Sequence, residues 1–521
     1  MEELTLRRRL LVLAVCCTSL LVVSMDNTIV TVALPTLRTE LGASITGLQW
    51  VVDAYTLTLA CFLMLAGSSA DRWGRRRTFQ LGLALFGAGS LLCSLAGSVG
   101  WLIAARVVQA LGGTMLNPVA MSIISNVFTD PKERARAIGV WGAVVGIALG
   151  LGPVLGGVLT ESVGWRSIFW VNVPVVVAAL VLAALFVPES RAPRARRPDP
   201  VGQLLVVAVL GGLVTAVIEG PHLGWVSPAT LGLAAVSLAA LAALLAWERR
   251  RVEPLLELRF FASVPFSAAT VAAVLAFAAF GGFLFLSTLF LQEARGLSAL
   301  GAGLLLLPAA VTTTVCAPLS GRLVARHGPR PSLLTAGIAL TLGAVVLAVV
   351  DPATPLAVLA VAYAVFGVGF GLVNPPITNA AVSGMPRAQA GVASAVASTS
   401  RQTGQSFGVA VVGSIVGAGS TAGLAGAGGV GGTSAVPGLA AGFWVVAGCA
   451  AAIGVLGILA TTRRARASAD RIADLFASDR AGYGDVPAGT ERDMSRRSTV
   501  TGRPTDAMVG GTSSPGRSDQ Q

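Results

Sequence analysis

Apolar residues run through the chain in long blocks, interrupted by short polar stretches that are mostly rich in arginine. The blocks reach about 20 residues or more, the length a helix needs to cross the hydrocarbon core of a bilayer. Fourteen spans are predicted at roughly 10–34, 48–69, 78–97, 101–125, 137–160, 168–187, 201–219, 229–247, 265–291, 299–320, 332–350, 354–374, 390–416 and 438–461. Arg7, Arg8 and Arg9 ahead of the first block imitate a secretory signal, but the run continues past Val23 to Leu37 with no cleavage site, so it reads as an uncleaved first span. The expectation is an all-α integral membrane protein.

Composition agrees. Of 521 residues, 54% are hydrophobic and 12% charged, with mean hydropathy +0.77. A soluble domain carries about 25% charged residues. Disorder is excluded for most of the chain; only the stretch after residue 470, rich in Asp, Arg, Ser, Gly and Pro, reads as a disordered tail.

The net charge of +12 suggests nucleic acid only if its placement is ignored. Of the 37 Lys and Arg residues, 32 fall on one side of the predicted spans. Arg38, Arg166 and Arg295 fall on the other, and Arg106 and Arg401 lie within spans. Basic loops face the cytoplasm, so both termini are expected there, which requires an even number of spans. Six cysteines lie scattered in apolar runs, and the two histidines, His222 and His327, are far apart, so neither a disulfide nor a metal is expected.

The chain repeats itself. Gly67, Arg72, Gly74 and Arg76 match Gly321, Arg326, Gly328 and Arg330 at an offset of 254; Gly139, Gly152 and Gly156 match Gly391, Gly404 and Gly408 at 252; Asn117-Pro118 matches Asn374-Pro375 at 257. Two six-helix halves, 10–187 and 265–461, are therefore expected around two inserted helices at 201–247, with 1–9 and 470–521 as cytoplasmic N-terminus and tail. Duplicated halves of this kind are a transporter architecture, with the substrate site near their interface.

Several motifs carry a family resemblance. Gly67, Asp71, Arg72, Gly74, Arg75 and Arg76 form a loop that resembles the signature between the second and third helices of the major facilitator superfamily, although Ala325 replaces the aspartate in the second copy. The stretch with Gly146, Gly150, Gly152, Pro153, Gly156 and Gly157 resembles the antiporter motif of its proton-coupled drug exporters. Residues 25–35, MDNTIVTVALP, resemble the first-helix motif of the fourteen-helix drug:proton antiporter branch, and Arg106 and Gln109 match the fourth-helix motif.

The resemblance implies the major facilitator fold and a proton-coupled exporter of lipophilic, often cationic drugs, in a bacterial-type plasma membrane. It implies a monomer that draws on the proton gradient, with no other cofactor. Asp26, an acid in an apolar span, is the expected proton carrier, with Arg106 in proton coupling. Asp53, Trp50, Tyr55, Gln109, Asn117, Asn374, Arg401 and Gln402 are candidate cavity residues, and Glu219 and His222 cluster near the outer end of the seventh span. The rival readings are a membrane enzyme or sensor, or the same fold exporting an endogenous metabolite. No GxSxG, P-loop or HExxH pattern supports enzyme chemistry or ATP-driven transport.

The charge asymmetry predicts that a topology reporter fused after Thr462 is active only in its cytoplasmic form; activity on the outer side breaks the even span count.

Overall fold

The computed structural model describes residues 5–191, 198–251, 254–382, 390–424, 438–465, 467–472 and 475. The expected tail thus lies almost wholly outside the described residues, as does much of the glycine-rich loop 417–437.

Helices account for the architecture, and no strand occurs among the described residues. In order they are α1 (Leu6–Leu41), α2 (Ile45–Trp73), α3 (Arg75–Ser94), α4 (Val99–Val127), α5 (Pro131–Ser162), the single turn α6 (Ser167–Trp170), α7 (Asn172–Phe186), α8 (Pro200–Leu223), α9 (Pro228–Glu248), α10 (Val264–Leu289), α11 (Ala299–His327), α12 (Pro329–Val349), α13 (Leu356–Val382), α14 (Ala390–Leu424) and α15 (Leu439–Leu459). Ser44, Ser98, Asp130, Asp199, Ser227 and Ser298 start α2, α4, α5, α8, α9 and α11, each accepting a first-turn backbone N–H. Proline follows the cap in α5, α8 and α9, where its missing N–H is no loss.

Among the described residues, twelve helical segments are long and apolar enough to cross a bilayer, α6 and α7 together forming one. The expected count of fourteen is therefore not carried by length and hydropathy alone. Helices α3 and α14 cover the predicted spans 78–97 and 390–416, but α3 opens on three arginines and α14 holds Arg401, Gln402 and Gln405.

Packing follows the internal repeat. Helix α1 lies on α5, α2 on α4, and α3 on α4 and α7; in the second half α10 lies on α14, α11 on α13, and α12 on α13 and α15. The two sets meet along α5–α11 and α2–α14. Helix α8 is fastened to α2 at both ends: Gln203 Nε2 donates to the Cys61 carbonyl (2.8 Å), Trp50 Nε1 to Glu219 (2.8 Å), and Thr46 bonds His222. It also accepts a bond from the second half, Ser414 Oγ to the Val217 carbonyl (2.6 Å).

Hydrogen bonds and ion pairs between the halves concentrate at the helix ends that carry few arginines, called the charge-poor side below for that reason. There Arg38 pairs with Glu293 (2.6 Å), Glu161 accepts the Leu300 N–H (2.6 Å), and Gln292 Nε2 donates to the Val32 carbonyl (2.8 Å). Gln49 Nε2 reaches the Ala410 carbonyl (2.9 Å). A side chain at Gly157 would lie 2.6 Å from the Leu300 backbone, so α5 and α11 are in direct backbone contact there. Toward the arginine-rich ends the same helices part: Gly139 and Gly142 of α5 and Gly321 of α11 face open space. The α5–α11 seam is closed on the arginine-poor side and parts on the arginine-rich side.

The α5 glycines serve two interfaces. Gly152 and Gly156 lie against Thr28 and Ile29 of α1, while Gly146 and Gly157 lie against Thr314 and Leu300 of α11. A Cβ at Gly156 would stand 2.8 Å from the Ile29 carbonyl oxygen, and backbone cannot move aside as a flexible side chain does. Overpacking of this kind costs about 1–3 kcal/mol. Gly156→Leu is expected to reach the membrane at normal levels, since insertion depends on apolar length, but to unfold at a lower temperature in detergent. An unchanged midpoint overturns the α1–α5 contact.

Candidate functional site

The first half encloses an ion pair. Asp26 is 0% exposed and Arg106 1%, and Arg106 Nη1 bonds Asp26 Oδ2. The other carboxylate oxygen accepts from Gln109 Nε2 (2.7 Å) and Asn172 Nδ2 (3.3 Å). Arg106 also donates to Gln109 Oε1 (2.8 Å) and to the Val51 carbonyl (3.2 Å). Its guanidinium lies over the Tyr55 ring, 4.2 Å from the centroid. Ser90 Oγ accepts from both Gln109 (2.7 Å) and Asn172 (3.2 Å). Five helices, α1, α2, α3, α4 and α7, thus contribute to one network.

Helical geometry explains the convergence. Arg106 and Gln109 are three apart on α4 and share a face. The sequence neighbours Asn27 and Thr28 do not bond Asp26: Thr28 donates to the Met25 carbonyl in its own turn, and Asn27 Oδ1 is buried without a partner among the described residues. Asn172 and Ser90 were not among the candidates; a lone asparagine in the apolar run from 168 to 187 was the available signal.

Asp53 lies elsewhere. It is fully buried where α2 meets α14, with one oxygen accepting from Thr56 Oγ1 (3.2 Å) and the other unpartnered, and Ser406 of α14 facing it. Trp50 points to α8 through Glu219. Of the candidate cavity residues, Tyr55 and Gln109 therefore belong to the Asp26 network, and Asp53 and Trp50 to the closed α2–α8–α14 seam. Asn117, Asn374, Arg401 and Gln402 lie on α4, α13 and α14, with Asn117 Oδ1 and Gln402 Oε1 buried and unpartnered.

In the loop between α2 and α3, Asp71 pairs with Arg75 (3.0 Å), and Arg72 is exposed. Glu189, after α7 and outside the predicted motif, underlies this loop: it accepts the Arg76 N–H (3.2 Å) and lies 3.8 Å from Arg77. Gly74, at φ +112°, is the turn that brings α3 against it; a Cβ there would stand 2.6 Å from the Glu189 carboxylate.

The repeat shows what the second half has in place of the ion pair. At the offset of 257, Asp26 corresponds to Phe283, Arg106 to Tyr363 and Gln109 to Phe366. Those three rings pack together: Phe283 stacks on Phe366 at 4.1 Å between centroids and meets Tyr363 edge-on at 5.4 Å. One duplicated position is ionic in the first half and aromatic in the second.

Residues 16–409 match the Major Facilitator Superfamily. The chain belongs to that superfamily. It is a multi-pass membrane protein of this fold. Over 416 residues it is 39% identical to the "Multidrug resistance protein Stp" of Mycobacterium tuberculosis, covering 79% of this chain and 76% of that protein. It is 35% identical over 398 residues to the "Tetracenomycin C resistance and export protein" of Streptomyces glaucescens, covering 76% and 74%. Among solved structures, a bacterial homolog of the human lysosomal transporter Spinster, in an inward-facing and unoccupied conformation, superposes with a TM-score of 0.59 at 20% identity, covering 91% of this chain and 99% of that one. At that identity the likeness concerns the fold.

Removing one partner of a buried pair leaves an uncompensated charge and costs about 3–5 kcal/mol. Asp26→Ala and Arg106→Ala are each expected to lower thermal stability in detergent by that order. The double variant should lose clearly less than the sum of the two. Additive losses overturn the pairing.

Proposed function

We propose that the chain is a proton-driven antiporter that exports lipophilic small molecules, among them drugs or antibiotics, across a bacterial-type cell membrane. The observation that carries this is the buried Asp26–Arg106 pair in the first half, on a helix α1 that packs against α5, whose seam with α11 parts toward the arginine-rich side. The names of the two relatives, a multidrug resistance protein and a resistance and export protein, support export as the direction. The chain is a carrier rather than an enzyme, works as a monomer, and takes its energy from the proton gradient. Both termini are cytoplasmic, so the open side faces the cytoplasm and loads cargo there. Residues 10–187 and 265–461 act as the two moving halves around the inserted helices 201–247.

In this mechanism Asp26 holds Arg106 rather than cargo. A proton that reaches a carboxylate oxygen of Asp26 removes the negative charge, and the guanidinium loses its ionic partner while keeping Gln109 and the Val51 carbonyl. Helices α1 and α4 are then free to shift against each other, and α1 transmits that shift to α5 through the Gly152 and Gly156 contacts. Since α5 also forms the closure with α11, protonation in the first half bears on the seam between halves. Loss of the proton to the cytoplasm restores the pair.

Asp26→Asn keeps the shape and fixes the neutral form. In proteoliposomes, substrate-induced proton flux is expected to vanish while downhill substrate exchange persists. Intact flux in Asp26→Asn, with flux lost in Asp53→Asn, moves the proton site to the α2–α14 seam.

A further inference from the structure

Arg401 is the charge of the second half that the mechanism leaves unused. It lies on α14, and Ser406, which faces Asp53 in the closed seam, is five residues further along. Arg401 therefore stands about 7.5 Å from that level, toward the open, arginine-rich side. Its Nη2 donates to Thr378 Oγ1 on α13 (2.7 Å), and its Nε is buried with no partner. No acidic side chain among the described residues forms an ion pair with it. Asp26 is taken by Arg106, Asp53 sits inside the seam, and Glu293 is taken by Arg38.

A cation held within a span without a counter-ion is costly and marks a binding function. Two further features say what it would bind. Arg136 of α5 and Arg322 and Arg326 of α11 stand exposed at the open ends of the two helices that part there, so an anion approaching from that side meets a favourable potential. On the charge-poor side of Thr378, about two turns along α13, Phe370 stacks on Phe280 at 4.2 Å and meets Phe277 at 5.3 Å. Phe277 and Phe280 are partly exposed, while Phe370 behind them is buried.

We infer that the inter-half cavity holds an organic-anion subsite: Arg401 binds a carboxylate or sulfonate of the cargo, and the Phe277–Phe280–Phe370 wall takes its aromatic body. The guanidinium offers the paired N–H geometry that a carboxylate fits. This rests on the export reading above and narrows its cargo, from lipophilic molecules in general to aromatic acids, with cations disfavoured.

The test uses two fluorescent probes with one aromatic body and opposite charges, dansylglycine and dansyl-ethylenediamine, titrated against the full chain in nanodiscs without a proton gradient. Wild type is expected to bind dansylglycine more tightly. Arg401→Gln should weaken dansylglycine about tenfold or more and abolish the preference, a loss of at least about 1.4 kcal/mol, while Arg401→Lys retains part of it. Thr378→Ala, which removes the side-chain partner but not the charge, should stay within about threefold of wild type, because the freed guanidinium N–H can turn to the carboxylate of the probe. The inference is overturned if wild type shows no preference for the anion, if Arg401→Gln weakens both probes alike or neither, or if Thr378→Ala reproduces the loss. Because binding is read at equilibrium, failure of proton-driven export leaves this outcome intact and is detected separately as absent flux.

Discussion

Two opposite charges lie sealed within the apolar bundle of the first half, and the helices around them are arranged to satisfy them. Withdrawing a carboxylate and a guanidinium from water costs several kcal/mol per ion. Their mutual attraction offsets this only when the remaining donors and acceptors are also met. Here Gln109, Asn172, Ser90 and the Val51 carbonyl meet them, and the Tyr55 ring covers the guanidinium face. Five helices are thereby fixed relative to one another. Any event that changes the charge on Asp26 is felt by all five.

The α5 glycines connect that network to the rest of the molecule. Without Cβ atoms, α5 approaches α1 on one side and α11 on the other at backbone distance. A helix held this tightly transmits displacement, because close-packed interfaces switch between arrangements rather than deform gradually. The contact with α11 forms part of the closure on the charge-poor side. The helix α1 that carries Asp26 and the α5–α11 seam thus share one rigid element, α5.

The second half has the same packing scheme but different chemistry. Phe283, Tyr363 and Phe366 occupy the positions of Asp26, Arg106 and Gln109, so the corresponding helices are held by stacked rings that no proton can switch. One half carries the ion pair, while the other carries Arg401 on α14 and the stacked rings of α10 and α13. The inserted helix α8 is fastened to α2 through Gln203, Glu219 and His222, and it borders the α2–α14 seam as a flank of the first half.

Much of this was legible in the sequence. The bilayer requires long apolar helices, so the membrane-spanning helical class and the related packing of the two halves follow from order alone. Charged residues inside spans are rare enough that Asp26, Arg106 and Arg401 stood out. Partnership did not: Asp26 and Arg106 are 80 residues apart, Asn172 lies a further 66 along, and which side chains share a face across helices depends on rotation and crossing that one-dimensional periodicity does not encode. Helices α3 and α14 are not among the twelve apolar enough to cross, and polar residues of both face neighbouring helices: Ser90 lies in the Asp26 network and Ser406 faces Asp53. The sequence by itself determined a bilayer-spanning helical chain with two related halves and a few embedded charges. Only the tertiary structure decided that Asp26 is paired, that Asp53 is walled into a seam, that Tyr55 and Gln109 serve the ion pair, and that Arg401 has no acidic partner among the described residues. The reason is that a buried charge is defined by what surrounds it in space.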